Sequence, residues 1–564
     1  MLTDIQIAQK AKKLPIETIA KKLRIDKKYL INYGKFIAKI DLPILDNLSK
    51  RRQGKYVLVT AITPTPLGEG KTVTTIGLAM ALNRLNHLAS VCIRQPSLGP
   101  VFGIKGSAGG GGYSQVLPRE DFDLHFTGDA HAVGLAHNVA AAFLDNSLFR
   151  GNRLGIDINK IYWRRVVDIG DRFLRNLKIG LGTKNDGIPR DSGFDITASS
   201  EIMAILALSR DFMDLRKRLS RIVLADTKKS VSLSAEDLKV AGLMAVLLKD
   251  AIKPNLIQTI ENTPCFVHTG PFANIAHGNS SIIQDKIALA LSDFVVTEAG
   301  FGADCGAEKF FNIKCRAAGL SPDVAVIVVS LRAIKAHSGI CKIVPGKPLE
   351  ECLGKENLDA LEKGAANLEK QIENIKIFGV PVVVAINKFN SDSVKEIEFL
   401  KRKAFTFGAD DCVVSEVWQK GGKGGEDLAK AVVKFSSASK KFKFLYSLNS
   451  PIREKINLIA TKIYGAKSVS YSETAEKQIR LCNKRGWDKL AVCMAKTPLS
   501  LSHDPGLKAR PKDFVLPVRD IRPFIGAGFL SVLCGAIQTM PGLPKHPRGE
   551  NIDIDKEGNI KGLS

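Results

Sequence analysis

The sequence predicts an α/β fold: a P-loop-containing parallel sheet with flanking helices, plus further, smaller α/β domains. Short apolar segments alternate along the chain with segments of helical periodicity, which favours a parallel sheet. The short segments are apolar almost throughout and rich in β-branched residues, as is typical of strands buried on both faces. The predicted strands cover residues 55–63, 90–94, 265–269, 294–300, 324–330 and 380–387.

The stretch "TPLGEGKT" joins the first predicted strand to a helix predicted over 72–85. A helix start offers free backbone N–H groups to an anion, and glycines allow a close approach. Lys71 suits the phosphates of ATP, and the hydroxyl of Thr72 suits Mg²⁺. Thr65 replaces the usual first glycine and Glu69 adds a negative charge, so a structural turn stays an alternative. The predicted ATP-binding residues are Thr65, Pro66, Leu67, Gly68, Glu69, Gly70, Lys71 and Thr72.

Loops rich in Gly, Asn, Asp, Lys and His follow the other predicted strands. Because ligands bind at the carboxyl ends of parallel strands, these loops are expected to form one composite site. Arg94 ends one strand, and its guanidinium matches phosphate or carboxylate oxygens, although a surface arginine is the alternative. We interpret "GSAGGGGY" (106–113) as a binding loop rather than a flexible linker.

The first 50 residues are Lys-rich and helical in period. The whole chain has 82 Lys and Arg against 57 Asp and Glu, a net charge of +25 that would suit a nucleic-acid binder. However, the lysines are spread along the chain and no aromatic-rich RNA-binding signature is present. A basic surface suited to small anionic molecules is therefore the preferred interpretation.

The 564 residues are enough for two to four domains, and no apolar stretch reaches the roughly 20 residues of a membrane span. The N-terminus lacks the features of a secretory signal. The ten cysteines include no C-x-x-C pair, which argues for reduced thiols and against a zinc site or a disulfide framework. These observations predict a cytoplasmic protein.

A series of longer sequence blocks is more specific than the loop alone. In order along the chain they include "TPLGEGKTVTTIGL", "RQPSLGPVFGIKG", "DLHFTGDAHAV", "GFDITASSEIMAIL", "GPFANIAHG", "TEAGFGADCGAEKFFNIKCR", "SEVWQKGGKG" and "TMPGLPKHP". Together they resemble the formate–tetrahydrofolate ligases, or 10-formyltetrahydrofolate synthetases, from about residue 15 to the C-terminus. The resemblance implies an ATP-dependent ligase of one-carbon metabolism. Its members convert formate, ATP and tetrahydrofolate into 10-formyltetrahydrofolate, ADP and phosphate through formyl phosphate.

The resemblance also implies roles for individual residues. Lys71, Arg94 and Asp129 are the expected catalytic residues, and Asp129 would orient substrate or handle a proton. Phe389 and Trp418 are expected to stack on the folate.

Two positions depart from the family pattern. Gln95, expected in the folate site, replaces the glutamate of many members, so it can donate and accept hydrogen bonds but cannot act as a general base. Thr269 replaces the second glycine of a "GGPF" segment.

The implied substrate is MgATP, with Thr72 beside the Mg²⁺, together with formate and tetrahydrofolate, including its polyglutamates. A monovalent cation, K⁺ or NH₄⁺, and a homotetramer are also implied, whereas nucleic acid and membrane are not expected partners. The predicted domains are residues 1–300, which bind the nucleotide, 301–444, which carry the folate-stacking residues, and a small C-terminal domain, 445–564. The alternatives are a synthetase that activates another acid and a non-catalytic nucleotide-dependent binding protein.

Overall fold

A computed structural model describes residues 2–48, 51, 53–340, 350–439 and 441–563. Its centre is a large twisted sheet whose main path has ten strands among the described residues. In chain order they are β1 (Leu30–Asn32), β2 (Ala38–Ile40), β3 (Lys55–Ala61), β4 (Ala89–Ile93), β5 (Asn255–Thr259), β6 (Pro264–Val267), β7 (Phe294–Glu298), β8 (Val324–Val329), β9 (Val382–Asn387) and β10 (Asp411–Ser415).

The order of strands across the sheet is β1-β2-β5-β6-β4-β7-β3-β8-β9-β10. From β6 to β10 every neighbouring pair is parallel, so seven strands end at the same edge of the described sheet. The first three strands of that order are antiparallel to their neighbours. A short hairpin, Gly110–Gly111 with Ser114–Leu117, extends the sheet beside β5.

Helices cover both faces of the sheet. Those of seven or more residues are α1 (Asp4–Lys10), α2 (Ile16–Lys22), α3 (Lys71–Arg84), α4 (Asp129–Phe149), α5 (Glu201–Leu208), α6 (Phe212–Ser220), α7 (Ala241–Leu247), α8 (Ile282–Leu291), α9 (Leu331–His337), α10 (Leu358–Lys376), α11 (Val394–Thr406), α12 (Glu426–Ser436), α13 (Ile452–Leu458) and α14 (Glu473–Lys484).

Successive residues of the central strands enter two different cores. Val57 and Val59 of β3 belong to the core under α3 and α12, whereas Tyr56 and Leu58 belong to the larger core on the opposite face. Because both faces are buried, each strand must be apolar at every position, which is the pattern in the sequence. Gly77 of α3 brings that helix close to the loop after β10, since an added Cβ would lie 2.4 Å from Val417.

Four strands between residues 468 and 534 form a second, smaller sheet. Its strands are β11 (Ser468–Tyr471), β12 (Ala491–Ala495), β13 (Val515–Phe524) and β14 (Phe529–Cys534), in the order β11-β13-β14-β12. A buried ion pair, Lys496 Nζ to Asp304 Oδ2 at 2.9 Å, joins the loop after β12 to the loop after β7. The small sheet is therefore anchored to the site edge of the large one.

The coarse α/β prediction is confirmed, and the described strands begin or end within a few residues of the predicted ones. The helical interpretation of the first 50 residues is wrong in part, because β1 and β2 follow α1 and α2 and pair with β5. Strands from both sides of residue 300 join the large sheet, and the three-domain division stays a prediction.

Eight cysteines of the described residues are buried and outside any disulfide, in line with the prediction of reduced thiols. Cys352 is disulfide-bonded, which corrects that prediction for this residue.

Candidate active site

The loop before α3 explains the unexpected Glu69. Gly68 and Gly70 have φ values of +73° and +82°, in the left-handed region where glycine is favoured. This path turns the carboxylate of Glu69 back into the loop, where it accepts hydrogen bonds from the backbone N (2.7 Å) and hydroxyl (3.0 Å) of Thr65. Burial raises the pKa of Glu69, and the charge of Lys71 opposes the shift. The hydrogen bonds between Glu69 and Thr65 therefore stabilise the loop from inside. A standard phosphate loop has glycine at the position of Thr65.

The first turn of α3 carries Lys71 and Thr72, two of the eight residues predicted to bind MgATP. The hydroxyl of Thr72 donates to Glu298 Oε2 at 2.8 Å, and Glu298 is the last residue of β7. The loop is fixed from β9 as well, because Asn387 Nδ2 donates to the Glu69 carbonyl at 3.3 Å. A hydroxyl beside a carboxylate at a helix start is a suitable environment for Mg²⁺. The sequence analysis missed Glu298, although it stands at the end of a predicted strand.

Arg94 lies in the first loop position after β4, as predicted. Its Nη1 donates to the Pro271 carbonyl at 2.9 Å, while its Nε is buried without a hydrogen-bond partner in the described structure. Burial lowers the pKa of the guanidinium, and the charge of Glu298 opposes that shift. A Cβ at Gly300 would lie 2.6 Å from the Cβ of Ala273 and 2.9 Å from Nη2, so glycine lets the segment after β7 pass close to Arg94. Arg94 therefore has unused donors in a confined place.

Lys105 is a third cation of this cluster, and the sequence analysis missed it. It ends a π-helical turn, Val101–Lys105, that begins a few residues after Arg94. No hydrogen bond or ion pair to Lys105 is present within the described residues. The residue is solvent-exposed as a whole, but enough protein lies around its amino group to lower the pKa to about 8. The charges of Arg94 and Lys71 contribute to the lowered pKa, and Glu298 opposes it. Lys105 is therefore a cation whose charge is destabilised by the cations beside it.

Gln95 and Asp129 line a narrow cavity of about 10 Å³ together with Thr269 and Asp168. Asp129 is the first residue of α4, and its carboxylate is already engaged. Lys39 Nζ lies 2.7 Å from Asp129 Oδ1, and Asn255 Nδ2 donates to Oδ2 at 2.9 Å. The structure thus brings two predicted site residues together and pairs one of them with a buried lysine.

Thr269 adopts a backbone conformation that is unusual for its residue type. Its φ is +57°, and β-branched residues rarely occupy this left-handed region. Its carbonyl accepts from Gln95 N at 2.7 Å, and its buried hydroxyl has no hydrogen-bond partner in the described structure. The family pattern has glycine at this position. The replacement of that glycine by Thr269 is therefore accompanied by backbone strain.

The predicted stacking residues lie on neighbouring loops. Gln419 Nε2 donates to Asn390 Oδ1, which joins the loop that carries Trp418 to the loop that carries Phe389. The guanidinium of Arg332 lies 4.3 Å from the centre of the Phe389 ring. Among the ring contacts of the described residues there is none between Phe389 and Trp418.

The glycine-rich stretch 106–113 packs against Trp418. Tyr113 N donates to the Trp418 carbonyl at 2.8 Å. An added Cβ at Gly112 would lie 2.1 Å from that carbonyl oxygen and 2.8 Å from the indole ring. The stretch therefore has glycine because the Trp418 loop comes so close, and it is an ordered hairpin rather than a linker.

Comparison with known proteins identifies the family. The sequence profile described as "Formate–tetrahydrofolate ligase" matches residues 2–564. The chain belongs to the formate–tetrahydrofolate ligase family. A formate–tetrahydrofolate ligase of Roseiflexus castenholzii (strain DSM 13941 / HLO8) is 54% identical over 564 residues, which is all of both chains. "Formate–tetrahydrofolate ligase 3" of Rubrobacter xylanophilus is 52% identical over 573 residues, again with both chains fully covered.

The resemblance inferred from the sequence blocks is thus confirmed, and neither alternative function is favoured. Within the described part of this ligase-family chain, no helix is long and apolar enough to cross a membrane. The roles of the individual site residues stay predictions.

The position of Lys105 leads to a testable expectation. Amine-reactive reagents attack neutral lysine, and a pKa of about 8 leaves about half of Lys105 neutral at pH 8. A lysine with the ordinary pKa of about 10.4 is neutral to less than about 1% at that pH. Lys105 should therefore be acetylated by a trace of acetic anhydride on the order of 100-fold faster than typical surface lysines. Its labelling should fall off below pH 8 and in the presence of MgATP and formate.

Peptide mass spectrometry gives the labelling rate of each lysine, so the other lysines are internal controls. Labelling of Lys105 at the average rate, with no effect of MgATP and formate, would contradict its place in the anion site.

Proposed function

We propose that this chain joins formate to tetrahydrofolate at the edge of the sheet where β3, β4 and β7 end, using ATP and releasing ADP and phosphate. Membership of the ligase family over the whole chain supports the reaction. The observation that carries the location is that three cations lie beyond neighbouring strands, close enough for the charges of Arg94 and Lys71 both to act on Lys105. Glu298 is the carboxylate that opposes the pKa shifts of Arg94 and Lys105.

The chemistry requires such a cluster. Formate is a poor acylating agent because an oxide ion would have to leave. A formate oxygen therefore attacks the γ-phosphorus, the bond between that phosphorus and the ADP oxygen breaks, and formyl phosphate forms. The folate amine then attacks the formyl carbon, the carbon–oxygen bond breaks, and phosphate leaves as the amine loses its proton. Both steps gain more from positioning and charge neutralisation than from covalent help.

We assign the nucleotide to the loop 65–72. The start of α3 and Lys71 would hold the β- and γ-phosphates, and Thr72 with Glu298 would adjoin the Mg²⁺ of MgATP. The hydrogen bonds between Glu69 and Thr65 support this assignment, because they keep the loop open at its outer face.

We assign formyl phosphate to Arg94 and Lys105. Arg94 stays charged at all relevant pH values and can contact two oxygens with parallel N–H groups. Its unpaired Nε and the glycine at position 300 leave it room for such a contact. Lys105 supplies a further positive charge from farther along the same segment after β4. Cations that repel one another when the site is empty are expected to bind a doubly charged intermediate strongly.

We assign the folate ring to the loops that carry Phe389 and Trp418. An aromatic slot with few polar contacts suits a flat heterocycle, and stacking adds to area burial. Gln95 and Asp129 would contact the folate near the reacting amine. Because Lys39 pairs with Asp129, we propose that this carboxylate orients substrate and does not take the proton. Gln95 cannot take it either, since an amide is not a base.

The remaining expectations come from the family resemblance alone. They are a monovalent cation such as K⁺ or NH₄⁺, a homotetramer, a cytoplasmic location and acceptance of folate polyglutamates. A cation requirement would appear as a dependence of the rate on K⁺ at constant ionic strength.

The Arg94→Lys variant separates the two chemical steps. Lysine keeps the positive charge but lacks the parallel N–H groups of the guanidinium. The variant should therefore bind MgATP normally, and its rate of 10-formyltetrahydrofolate synthesis should fall on the order of 10²-fold. That factor corresponds to about 3 kcal/mol for one charged, bidentate contact. The readouts are MgATP affinity by calorimetry and product formation by absorbance in the same preparation.

The matched control is Arg84→Lys, at the far end of α3, where the arginine pairs with Glu426 at 3.0 Å. It should leave both quantities unchanged. Normal synthesis by Arg94→Lys would refute the role of Arg94, and an equal loss of MgATP affinity would move Arg94 into the nucleotide site.

The Trp418→Ala variant tests the folate slot. Loss of a stacked ring should weaken folate binding by at least about 1 kcal/mol, on the order of fivefold in KM for tetrahydrofolate, with little change in KM for ATP. Trp487→Ala removes a half-buried tryptophan that contacts Arg485 in the small C-terminal region and serves as control. If Trp418→Ala raised both KM values equally, Trp418 would be a structural residue instead.

A further inference from the structure

A second basic cavity lies away from the proposed active site. It is a groove of about 350 Å³ between the segment 164–176 and the small C-terminal sheet. Four arginines line it, together with one carboxylate and the first turn of α14. These lining residues are Arg164, Arg175, Arg519, Arg522, Asp520 and Thr474.

The arginines of this groove are only partly neutralised. Arg164 pairs with Asp195 at 3.3 Å, and Arg522 makes a long contact of 3.7 Å with Asp520. Neither Arg175 nor Arg519 has a carboxylate within 4 Å in the described part of the chain. Their side chains donate hydrogen bonds to backbone carbonyls: Arg175 Nε donates to Met540 O at 2.9 Å, and Arg519 Nη2 to Ile537 O at 3.2 Å. These bonds fix the two side chains and leave several donors of each free.

A helix start adds to the positive potential of the groove. Thr474 is the second residue of α14, whose backbone N–H groups carry the positive end of the helix dipole. Ser472 caps only Ala475 N and Glu476 N, at 3.1 and 2.9 Å. Arginines that are fixed in place and still have free donors suit a ligand with more than one anionic group. The nearby helix start and the width of the groove, several atoms, suit the same kind of ligand.

Two adjacent strands carry residues of both the groove and the narrow cavity of the proposed active site. Arg164 lies at the groove, and Asp168, four residues on, lines the narrow cavity with Gln95 and Asp129. The intervening residues form a strand, Arg165–Val167, so the separation is about 13 Å along the chain. The neighbouring strand, Phe194–Ile196, makes the same link, since Asp195 pairs with Arg164 and Ala198 lines the cavity. A flexible chain could span that distance.

We propose that this groove binds a flexible polyanion through Arg175 and Arg519, either a chain of carboxylates on the folate substrate or a free oligophosphate. Both ligands offer several anionic groups a few ångströms apart. The carboxylate source rests on the proposed function, because it requires the folate ring to occupy the active site. The phosphate source requires no catalysis. Under this proposal, part of the excess positive charge of the chain binds a ligand in the groove.

The experiment uses the full chain with three variants, Arg175→Gln, Arg519→Gln and the control Arg480→Gln. Arg480 lies on the exposed part of α14, outside the groove, and makes only a 3.9 Å contact with Glu476. Two probes are measured for each protein: the dissociation constant of tripolyphosphate by calorimetry, and KM for tetrahydrofolate with one or five glutamates. Thermal unfolding checks that each variant is folded.

If the groove holds a carboxylate chain, Arg175→Gln and Arg519→Gln should each raise KM for the pentaglutamate about threefold to tenfold and leave KM for the monoglutamate unchanged. Tripolyphosphate binding should weaken in the same variants. Weakened tripolyphosphate binding with an unchanged pentaglutamate KM supports the phosphate source.

The proposal is overturned if Arg175→Gln and Arg519→Gln show the same tripolyphosphate affinity and the same KM values for tetrahydrofolate as the control Arg480→Gln. A failure of the proposed function would appear differently, because no folate would be turned over by any protein while tripolyphosphate binding could still be measured.

Discussion

The parallel arrangement of the central strands is the constraint on which the proposed active site depends. Seven described strands end at the same edge of the sheet, and both faces are occupied by apolar cores. Polar side chains can therefore meet only in the loops beyond that edge. Lys71 begins the helix after β3, Arg94 follows β4 and Glu298 ends β7. These residues are far apart in sequence and become neighbours because their strands are adjacent.

That arrangement has an electrostatic cost. Burial lowers the pKa of both Arg94 and Lys105, and the charges of Arg94 and Lys71 add to the shift of Lys105, so these cations are less stable here than in water. An anionic substrate or intermediate removes the cost, so the same repulsion becomes binding energy for phosphate groups. Elsewhere near the site, buried charges are neutralised within the protein, as in the Lys39–Asp129 and Lys496–Asp304 pairs. The cations without a carboxylate partner are those proposed to bind phosphate groups, whereas the paired charges fix neighbouring elements or, in the case of Asp129, are proposed to orient the folate.

Much of the fold and part of the candidate site could be predicted from the sequence, because apolar strands and a glycine-rich turn have recognisable local patterns. The strand ends located Arg94 correctly, and the longer blocks identified the family. Glu298 and Lys105 left no such signal, since each is a single charged residue whose importance depends on its neighbours in space. The role of Glu69 could not be read either, because a carboxylate that turns inward and one that faces outward have the same sequence. The arginine groove draws on segments more than 300 residues apart, and no local pattern announces it.

The central claim is that formate is activated by phosphorylation beside Lys71, Arg94 and Lys105. Formate that carries ¹⁸O in both oxygens tests it most directly, since the oxygen that attacks the γ-phosphorus stays on phosphorus when the folate amine displaces it. In the complete reaction, mass spectrometry of the phosphate released by this chain should show one ¹⁸O atom per molecule formed. Phosphate without ¹⁸O, at a normal yield of 10-formyltetrahydrofolate, would contradict the account.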